Sequence, residues 1–435
     1  MLYKNPLWGV FFVLVTLLCM GRWSIAQELR YSASPVNSSF GGVAVAAPID
    51  GGGAIYWNPA TIGLFYKGEF QFGFGRSSPP WYGDESLAYS LFIPVTAVVW
   101  AIQKMDSQID FIQNLIDDGN RSTQTYSSST KIPRVRAWEA SYIMAPTPYS
   151  QWNYGVSISE SGVRKERFYL DPATGDVAGT QIYRVKNIEF TPTISWRNKK
   201  QNFSLGFSPV FSIDEHPAAS LPEIPNYQFL GENRGHFGLG MQLGAYWETS
   251  SDWNFGFSVR SPFFIPKKTY RWYNAPAGEI RKNESFFSQD SPLRFAFGIS
   301  YDGIDNGLIA LDVRHYDFQH VNSLYGVSRQ KKRSVTSLGL GTQYQIYEGV
   351  TLRIGYQYSD GACSSYEDLL NNATLPIQRG HSMHYGITLG EPEHWDITFA
   401  GSHSFGEQKI SLGDGQSIDA NPNNSAFWWG FRFHF

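Results

Sequence analysis

Apolar and polar positions alternate in short runs from about Phe70 to the end of the chain. Phe70, Phe72 and Phe74 are interleaved with Glu69, Gln71 and Gly73. Ile188, Phe190, Pro192, Ile194 and Trp196 stand against Glu189, Thr191, Thr193, Ser195 and Arg197. The same holds for Trp253 to Arg260, Arg294 to Tyr301, and Leu352 to Tyr358. The last run places Phe427, Trp429, Phe431, Phe433 and Phe435 on one side, and Trp428, Gly430, Arg432 and His434 on the other. Side chains of an extended strand alternate between its faces, so each run predicts a strand with one apolar face. The counterface is polar or glycine in run after run. A strand with lipid on one side and a wet lumen on the other has this pattern. Turn chemistry separates some runs, as at Tyr301 to Gly307 and at Glu348-Gly349. Longer polar stretches, roughly 117–132, 214–234, 276–291, 321–334 and 360–381, read as extracellular loops. Residues 106–117, with Ile109, Phe111, Ile112, Leu115 and Ile116, have the spacing of a short amphipathic helix.

The start of the chain differs. Lys4 precedes an apolar run from Leu7 to Met20, and Ser24-Ile25-Ala26 supplies small residues before Gln27. This is the layout of a secretory signal peptide over residues 1–26. After it, Asp, Glu, Lys or Arg interrupts every long apolar stretch, so no membrane-spanning helix is expected. Only helices and closed barrels satisfy their backbone polar groups in lipid. An integral mature chain is therefore expected to be all-β, a transmembrane antiparallel β-barrel in a bacterial outer membrane, in contact with its lipid and lipopolysaccharide. Composition agrees: 42% hydrophobic residues coexist with a mean hydropathy of −0.29, so apolar residues are dispersed. Aromatics at 16% suit a barrel with two aromatic girdles. Once the signal is removed only Cys363 remains, which excludes an intrachain disulfide. A formal net charge of −3 gives no case for nucleic acid, and Lys331-Lys332-Arg333 reads as a solvated loop.

Residues 27–66 lack the alternation. They contain Ser38-Ser39-Phe40-Gly41-Gly42, then Gly51-Gly52-Gly53, then Tyr56-Trp57-Asn58-Pro59-Ala60. So much glycine in so short a stretch predicts a compact element apart from the wall. The glycine triplet lacks the Lys-Ser/Thr ending of a phosphate loop. His381 and His384, three apart on a predicted strand, fall on opposite faces and do not make a metal site; His315 and His320 read as rim positions. No Gly-x-Ser-x-Gly elbow marks a nucleophile, so no enzyme and no cofactor is expected.

Residues 38–64 resemble the N-terminal hatch of the FadL/TodX family of outer-membrane transporters for hydrophobic compounds. In that family a Gly- and Ala-rich stretch leads to an aromatic residue, Asn-Pro-Ala and Gly-Leu. Here Asn58-Pro59-Ala60 is followed by Thr61-Ile62 and only then by Gly63-Leu64. Segments 243–264, 291–318 and 338–358 resemble later hairpins of the family. The resemblance implies a barrel of about fourteen strands over residues 67–435, plugged by residues 27–66. It further implies passive uptake of a hydrophobic small molecule, such as a long-chain fatty acid or hydrocarbon, with a lateral exit through the wall. A binding or scaffold component of a protein secretion system, with a secretion partner protein, is the alternative that such a hatch equally suits. Asn58, Pro59 and Ala60 are then expected to shape the hatch, and Gly51, Gly52 and Gly53 to permit tight backbone turns in it. Arg294, Arg314 and Arg353 are candidate luminal contacts for a ligand carboxylate, with pairing to luminal acids such as Asp312 as the structural alternative.

Overall fold

The period-two runs form strands, and the strands close on themselves. The computed structural model describes residues 34–78, 134–146, 150–170, 177–215, 227–228, 236–274, 279–289, 291–317, 334–360, 380–391, 393–405, 408–413, 416–420 and 424–435. The expected signal peptide, the 106–117 helix, the 117–132 loop, the 331–333 basic run, His320 and Cys363 lie outside these residues.

In chain order the strands are β1 (Glu69–Ser78), β2 (Arg134–Ile143), β3 (Trp152–Leu170), β4 (Val177–Arg197), β5 (Phe203–Glu215), β6 (Tyr227–Gln228), β7 (His236–Glu248), β8 (Trp253–Arg260), β9 (Phe264–Asn274), β10 (Glu279–Gln289), β11 (Leu293–Ile304), β12 (Gly307–Asp317), β13 (Val335–Tyr347), β14 (Val350–Ser359), β15 (Gly380–Glu391), β16 (Trp395–Phe405), β17 (Gln408–Gly413), β18 (Gln416–Ala420) and β19 (Asn424–His434). Fourteen of them make a closed antiparallel barrel. Each of β1 to β4 pairs with the next; β5 then pairs with β7, β7 with β8, and β8 with β11. The run from β11 to β16 continues to β19, which returns to β1. Closure removes the free edges that lipid would not tolerate.

Neighbouring residues on one strand show the two environments. On β7, Met241 and Leu243 are 51% and 54% exposed, while Gln242 between them is fully buried in the lumen. Tight turns close one end: Asn306 and Gly349 take positive φ of 61° and 79° in the β11–β12 and β13–β14 turns. Trp152, Trp247, Trp253, Trp395, Tyr347 and Phe433 sit exposed near that end, where aromatics settle at the membrane–water boundary. Long connections lie at the other end, the outer side of such barrels. One sequence expectation is corrected there. Residues 276–291 are not a plain loop, because β10 pairs with β9 as a hairpin beyond the barrel rim. A hairpin that does not cross the bilayer needs no apolar face, so its polar sequence reads as loop.

The segment before β1 fills the lumen. It comprises helix α1 (Pro35–Ser39), an extended stretch, helix α2 (Gly51–Trp57) and a 3-10 turn (Pro59–Leu64). Phe40, Val43, Val45, Ile55, Trp57 and Ile62 are wholly buried. The element expected at 27–66 is thus a plug inside the barrel over its described residues.

Candidate functional site

The hatch has too few residues in regular structure to satisfy its own backbone, so the wall does it. Ser195 on β4 and Ser204 on β5 both donate to the Ala60 carbonyl, at 3.0 and 2.8 Å. Ser258 donates to the Trp57 carbonyl at 2.6 Å, and Ser300 to that of Ala46 at 2.7 Å. Arg432 reaches the Ile49 carbonyl at 2.8 Å. In the other direction, Asp312 accepts from the Ala44 and Val45 amides at 2.9 and 3.1 Å. A buried backbone group without a partner is costly, so this bonding fixes the plug's position as well as its fold.

Asn58 is the junction. Its amide nitrogen caps the end of α2 by donating to the Ala54 carbonyl. Its side-chain oxygen accepts from the Ala60 amide at 3.2 Å, starting the 3-10 turn. The side-chain nitrogen donates to the Val45 carbonyl at 2.8 Å and to the Ala245 carbonyl of the wall at 3.0 Å. Pro59 follows at the first position of the turn, where a missing N–H costs nothing.

The glycine triplet plays a part different from the expected one. None of the three has positive φ; the positive-φ glycines of the hatch are Gly41 and Gly42. Gly51 to Gly53 are the first turn of α2. Their amides donate to Glu69 at 2.6 Å, Gln71 at 3.1 Å and Asp50 at 3.0 Å. A Cβ at Gly52 would lie 2.1 Å from the Glu139 carboxylate, and one at Gly51 2.8 Å from that of Glu69. Close approach to the wall is the requirement here, not an unusual turn. Asp50, the cap, also binds Gln71 at 2.9 Å and Ser34. Burial pushes its carboxyl above the usual range, against the opposing pull of Arg432, Gln71 and the Gly53 amide.

Wall glycines answer the hatch backbone. A Cβ at Gly206 would stand 2.2 Å from the Ala60 nitrogen, and one at Gly256 1.9 Å from the Val45 oxygen. A Cβ at Gly355 would stand 2.2 Å from the Gly41 nitrogen, and one at Gly298 2.8 Å from the Ala46 nitrogen. These luminal glycines belong to the counterface seen in the sequence, but nothing local to each strand distinguishes a glycine facing water from one facing a plug. The luminal serines are equally silent, and so are Glu69, Gln71 and Arg432.

Two of the three predicted arginines converge on the hatch. Arg294 donates to the Tyr56 carbonyl at 2.7 Å and lies 4.6 Å from the Trp57 ring centroid. Arg314 lies 3.8 Å from the same centroid, binds the Gly42 carbonyl, and pairs with Asp312 at 3.2 Å. Arg353 stands apart, bonded to Gln343 at 2.9 Å and to Thr388. The part-exposed hatch residue among them is Tyr56. Its ring lies 4.9 Å from the Arg294 guanidinium and 5.3 Å from that of Arg260, which is itself paired with Glu189. Phe263, from the segment after β8, lies 5.1 Å from Arg260. His384 is buried and His381 is not, as opposite faces require.

An interval of the described wall between β4 and β5 is unpaired. Along β4–β5, Phe190 pairs with Phe211 and Ile194 with Phe207, but the three residues between find no ladder partner. In register, Pro192 and Pro209 face each other there. Neither has an N–H. In an antiparallel ladder every second pair exchanges both bonds, so two prolines at one such pair remove both and blank the pairs on either side. Roughly 14 Å of seam, four residues at about 3.4 Å each, lacks backbone bonds. On its luminal side a single bond of 2.7 Å joins the Thr193 and Ser208 hydroxyls. Ser208 lies opposite Gln242, which donates to the Tyr56 carbonyl at 3.1 Å. The seam is therefore beside the top of the hatch.

Together these features define a class: a fourteen-stranded barrel whose N-terminal segment is bonded into its own bore. Solved structures of that architecture match over nearly the full chain. The toluene transporter TodX of P. putida superposes with a TM-score of 0.61 at 11% identity, covering 94% of this chain and 99% of that one. A Pseudomonas aeruginosa FadL homologue gives 0.60 at 15% identity, covering 95% and 100%, and the Ralstonia pickettii toluene transporter TbuX gives 0.58 at 14%, covering 92% and 98%. At such identities the likeness establishes the fold. No protein-family model and no curated protein sequence matches the chain.

Proposed function

We propose that the protein is an outer-membrane uptake channel for hydrophobic small molecules, with monoaromatic hydrocarbons and long-chain fatty acids as the first classes to test. The ligand enters from the long-loop end, reaches the hatch at Tyr56, and leaves sideways into the bilayer through the β4–β5 seam. The Pro192–Pro209 seam beside the hatch carries the reading. The bore holds the bonded hatch backbone, and an apolar solute gains by leaving into lipid rather than water, at about 25 cal/mol per Å² of its surface. Tyr56, Phe263 and the stems of Arg260 and Arg294 offer a surface that takes an aromatic ring or a carboxylate. Arg294 then has two partners to choose between, the Tyr56 carbonyl and the ligand.

The test is uptake of radiolabelled toluene and of a radiolabelled fatty acid by cells with and without the gene. The Pro192→Thr/Pro209→Thr double variant, which restores both N–H donors, is expected to slow uptake at unchanged surface level. If deletion of the gene leaves uptake of both compounds unchanged, the transport reading fails and the secretion-scaffold alternative stands in its place.

A further inference from the structure

Arg353 is a luminal arginine that the described chain leaves without a carboxylate. Arg197 pairs with Glu248, Arg260 with Glu189, Arg314 with Asp312 and Arg432 with Asp396. Arg353 is only 4% exposed, yet its bonds go to two neutral groups. Its Nε donates to the Gln343 side-chain oxygen at 2.9 Å, and its Nη1 to the Thr388 hydroxyl. That hydroxyl is shared in turn with Thr398 at 2.7 Å. The charges acting on Arg353 from farther off are Arg432, Asp396 and Asp50. Both acids are already engaged. Asp396 accepts from Arg432 at 3.0 and 2.7 Å, and Asp50 from Gln71 and the Gly53 amide.

The place is beneath the hatch. Arg353 lies opposite Gln343 in the β13–β14 ladder. It is three residues, about 10 Å, from the tight turn between these strands. One luminal step away from the turn the hatch makes a roof. A Cβ at Gly341 would stand 2.5 Å from the Phe40 oxygen, and one at Gly355 2.2 Å from the Gly41 nitrogen. One step toward the turn, Gln345 and Thr351 face each other, half-buried, with no side-chain bond among the described residues. Polar side chains therefore lead from the turn end, the periplasmic side of such barrels, up to the guanidinium. Two donors are open there. Nη2 of Arg353 has no acceptor among the described residues, and Gln343 commits its oxygen to Arg353, which leaves its amide nitrogen free. Turning that amide over would set N–H against N–H, so the orientation is fixed by chemistry. Arginine does not give up its proton, and a buried charge without a partner is strongly unfavourable. Open donors beside an uncompensated cation call for an acceptor that carries negative charge. The small exposure of Arg353 requires that acceptor to be small.

We infer that a small monovalent anion from the periplasmic side binds Arg353 and Gln343 beneath the hatch and completes the charge balance there. The inference does not depend on what the channel carries, so a failed uptake assay leaves it standing. The experiment uses the full purified protein in a neutral detergent, with bulky gluconate as the background anion and sodium held constant. Bromide and acetate are titrated separately, and calorimetric binding and the unfolding temperature are followed. Wild type is expected to bind one ion per chain, saturably, and to unfold at a higher temperature when it is bound. Tighter binding of bromide assigns the site to a halide, and tighter binding of acetate to a carboxylate. Arg353→Met should weaken binding at least tenfold. Lys199→Gln/Lys200→Gln, which removes exposed cations from a turn at the same end, should leave it unchanged. Gln343→Glu supplies a carboxylate from the chain itself. It should unfold above wild type in gluconate and gain nothing from bromide or acetate, a result that a merely structural Arg353 would not give. Should Arg353→Met not fold, Gln343→Glu carries the comparison. Absence of saturable binding of both ions by wild type overturns the inference, as does undiminished binding by either folded variant.

Discussion

Gly206→Ala isolates the fit between plug and wall. The new methyl would lie 2.2 Å from both the Ala60 nitrogen and the Pro59 carbonyl carbon, and 2.5 Å from the Pro59 oxygen. Carbon contacts settle near ~3.5 Å, so the hatch backbone must retreat by roughly 1.3 Å. The Ala60 carbonyl is held by Ser195 at 3.0 Å and Ser204 at 2.8 Å, and such a retreat carries both beyond bonding distance. Two bonds at about 1 kcal/mol each, with overpacking of about 1–3 kcal/mol, give a loss of about 3–5 kcal/mol in seating. At 1.4 kcal/mol per decade that is at least a hundredfold rise in local opening. Hydrogen exchange of residues 51–64 in detergent-solubilised protein reads it directly. Gly238→Ala is the control on the same barrel, because its methyl meets only Phe263 at 3.3 Å, Ile265 at 3.4 Å and Ser212 at 3.7 Å. Both variants should keep the heat-modifiable gel mobility of a closed barrel. Unchanged protection in Gly206→Ala, or equal loss in Gly238→Ala, refutes the argument.

Asn58→Ala removes the links to Val45, Ala245 and Ala60. It should cost about 3 kcal/mol, seen as protease cleavage within 43–60 while the barrel stays folded. Arg314→Met leaves Asp312 buried beside the Ala44 and Val45 amides without its cation. A loss of about 3–5 kcal/mol is expected in chemical unfolding, part of which adding Asp312→Asn should recover. Asp50 titrates above its ordinary range when folded, because of burial. Its contribution is therefore fully present below the unfolded carboxylate pKa and is lost as pH rises through the higher folded value. Asp50→Asn does not titrate, so its melting temperature relative to wild type should climb from pH 4 to pH 8. A flat or falling difference contradicts the assignment.

Lipid and lumen wrote the barrel into the chain, because every crossing strand must present one apolar face. That is why Phe70 to Phe74, Trp253 to Arg260 and the last nine residues read correctly in isolation. The hatch was legible over its described residues from its glycine, and Asn58-Pro59-Ala60 from its resemblance to a known motif. Its seating was not legible. Ser204 and Ala60 are 144 positions apart, and so far apart neither residue type announces the other. Gly51 to Gly53 illustrate a second limit. A glycine signals either unusual φ or close approach, and only the position of Glu69 and Glu139 decides between them. The β10 strand was missed for a third reason, since a hairpin that does not cross the bilayer needs no apolar face and so no period-two signal.

The bonding also bears on the route of the proposed uptake. Eight wall residues on seven strands, from Glu69 on β1 to Arg432 on β19, hold the hatch through bonds of 2.6–3.0 Å to its backbone. At about 1 kcal/mol net apiece, ejecting the hatch along the bore costs on the order of 8 kcal/mol before its buried side chains are counted. An open state some 6 kcal/mol or more above the closed one is populated below one part in ten thousand, at 1.4 kcal/mol per tenfold. The β4–β5 seam has already given up two bonds and is closed by one hydroxyl pair. For the proposed uptake, sideways passage beside a seated hatch is thus the less costly route. A disulfide between Ala60→Cys and Ser204→Cys, in a Cys363→Ser background, ties hatch to wall at the point where Ser204 now bonds Ala60. Uptake should survive oxidation of that pair with at most a twofold change. Loss of uptake on oxidation, restored by reductant, would mean that the hatch must leave, and the lateral route would have to be abandoned.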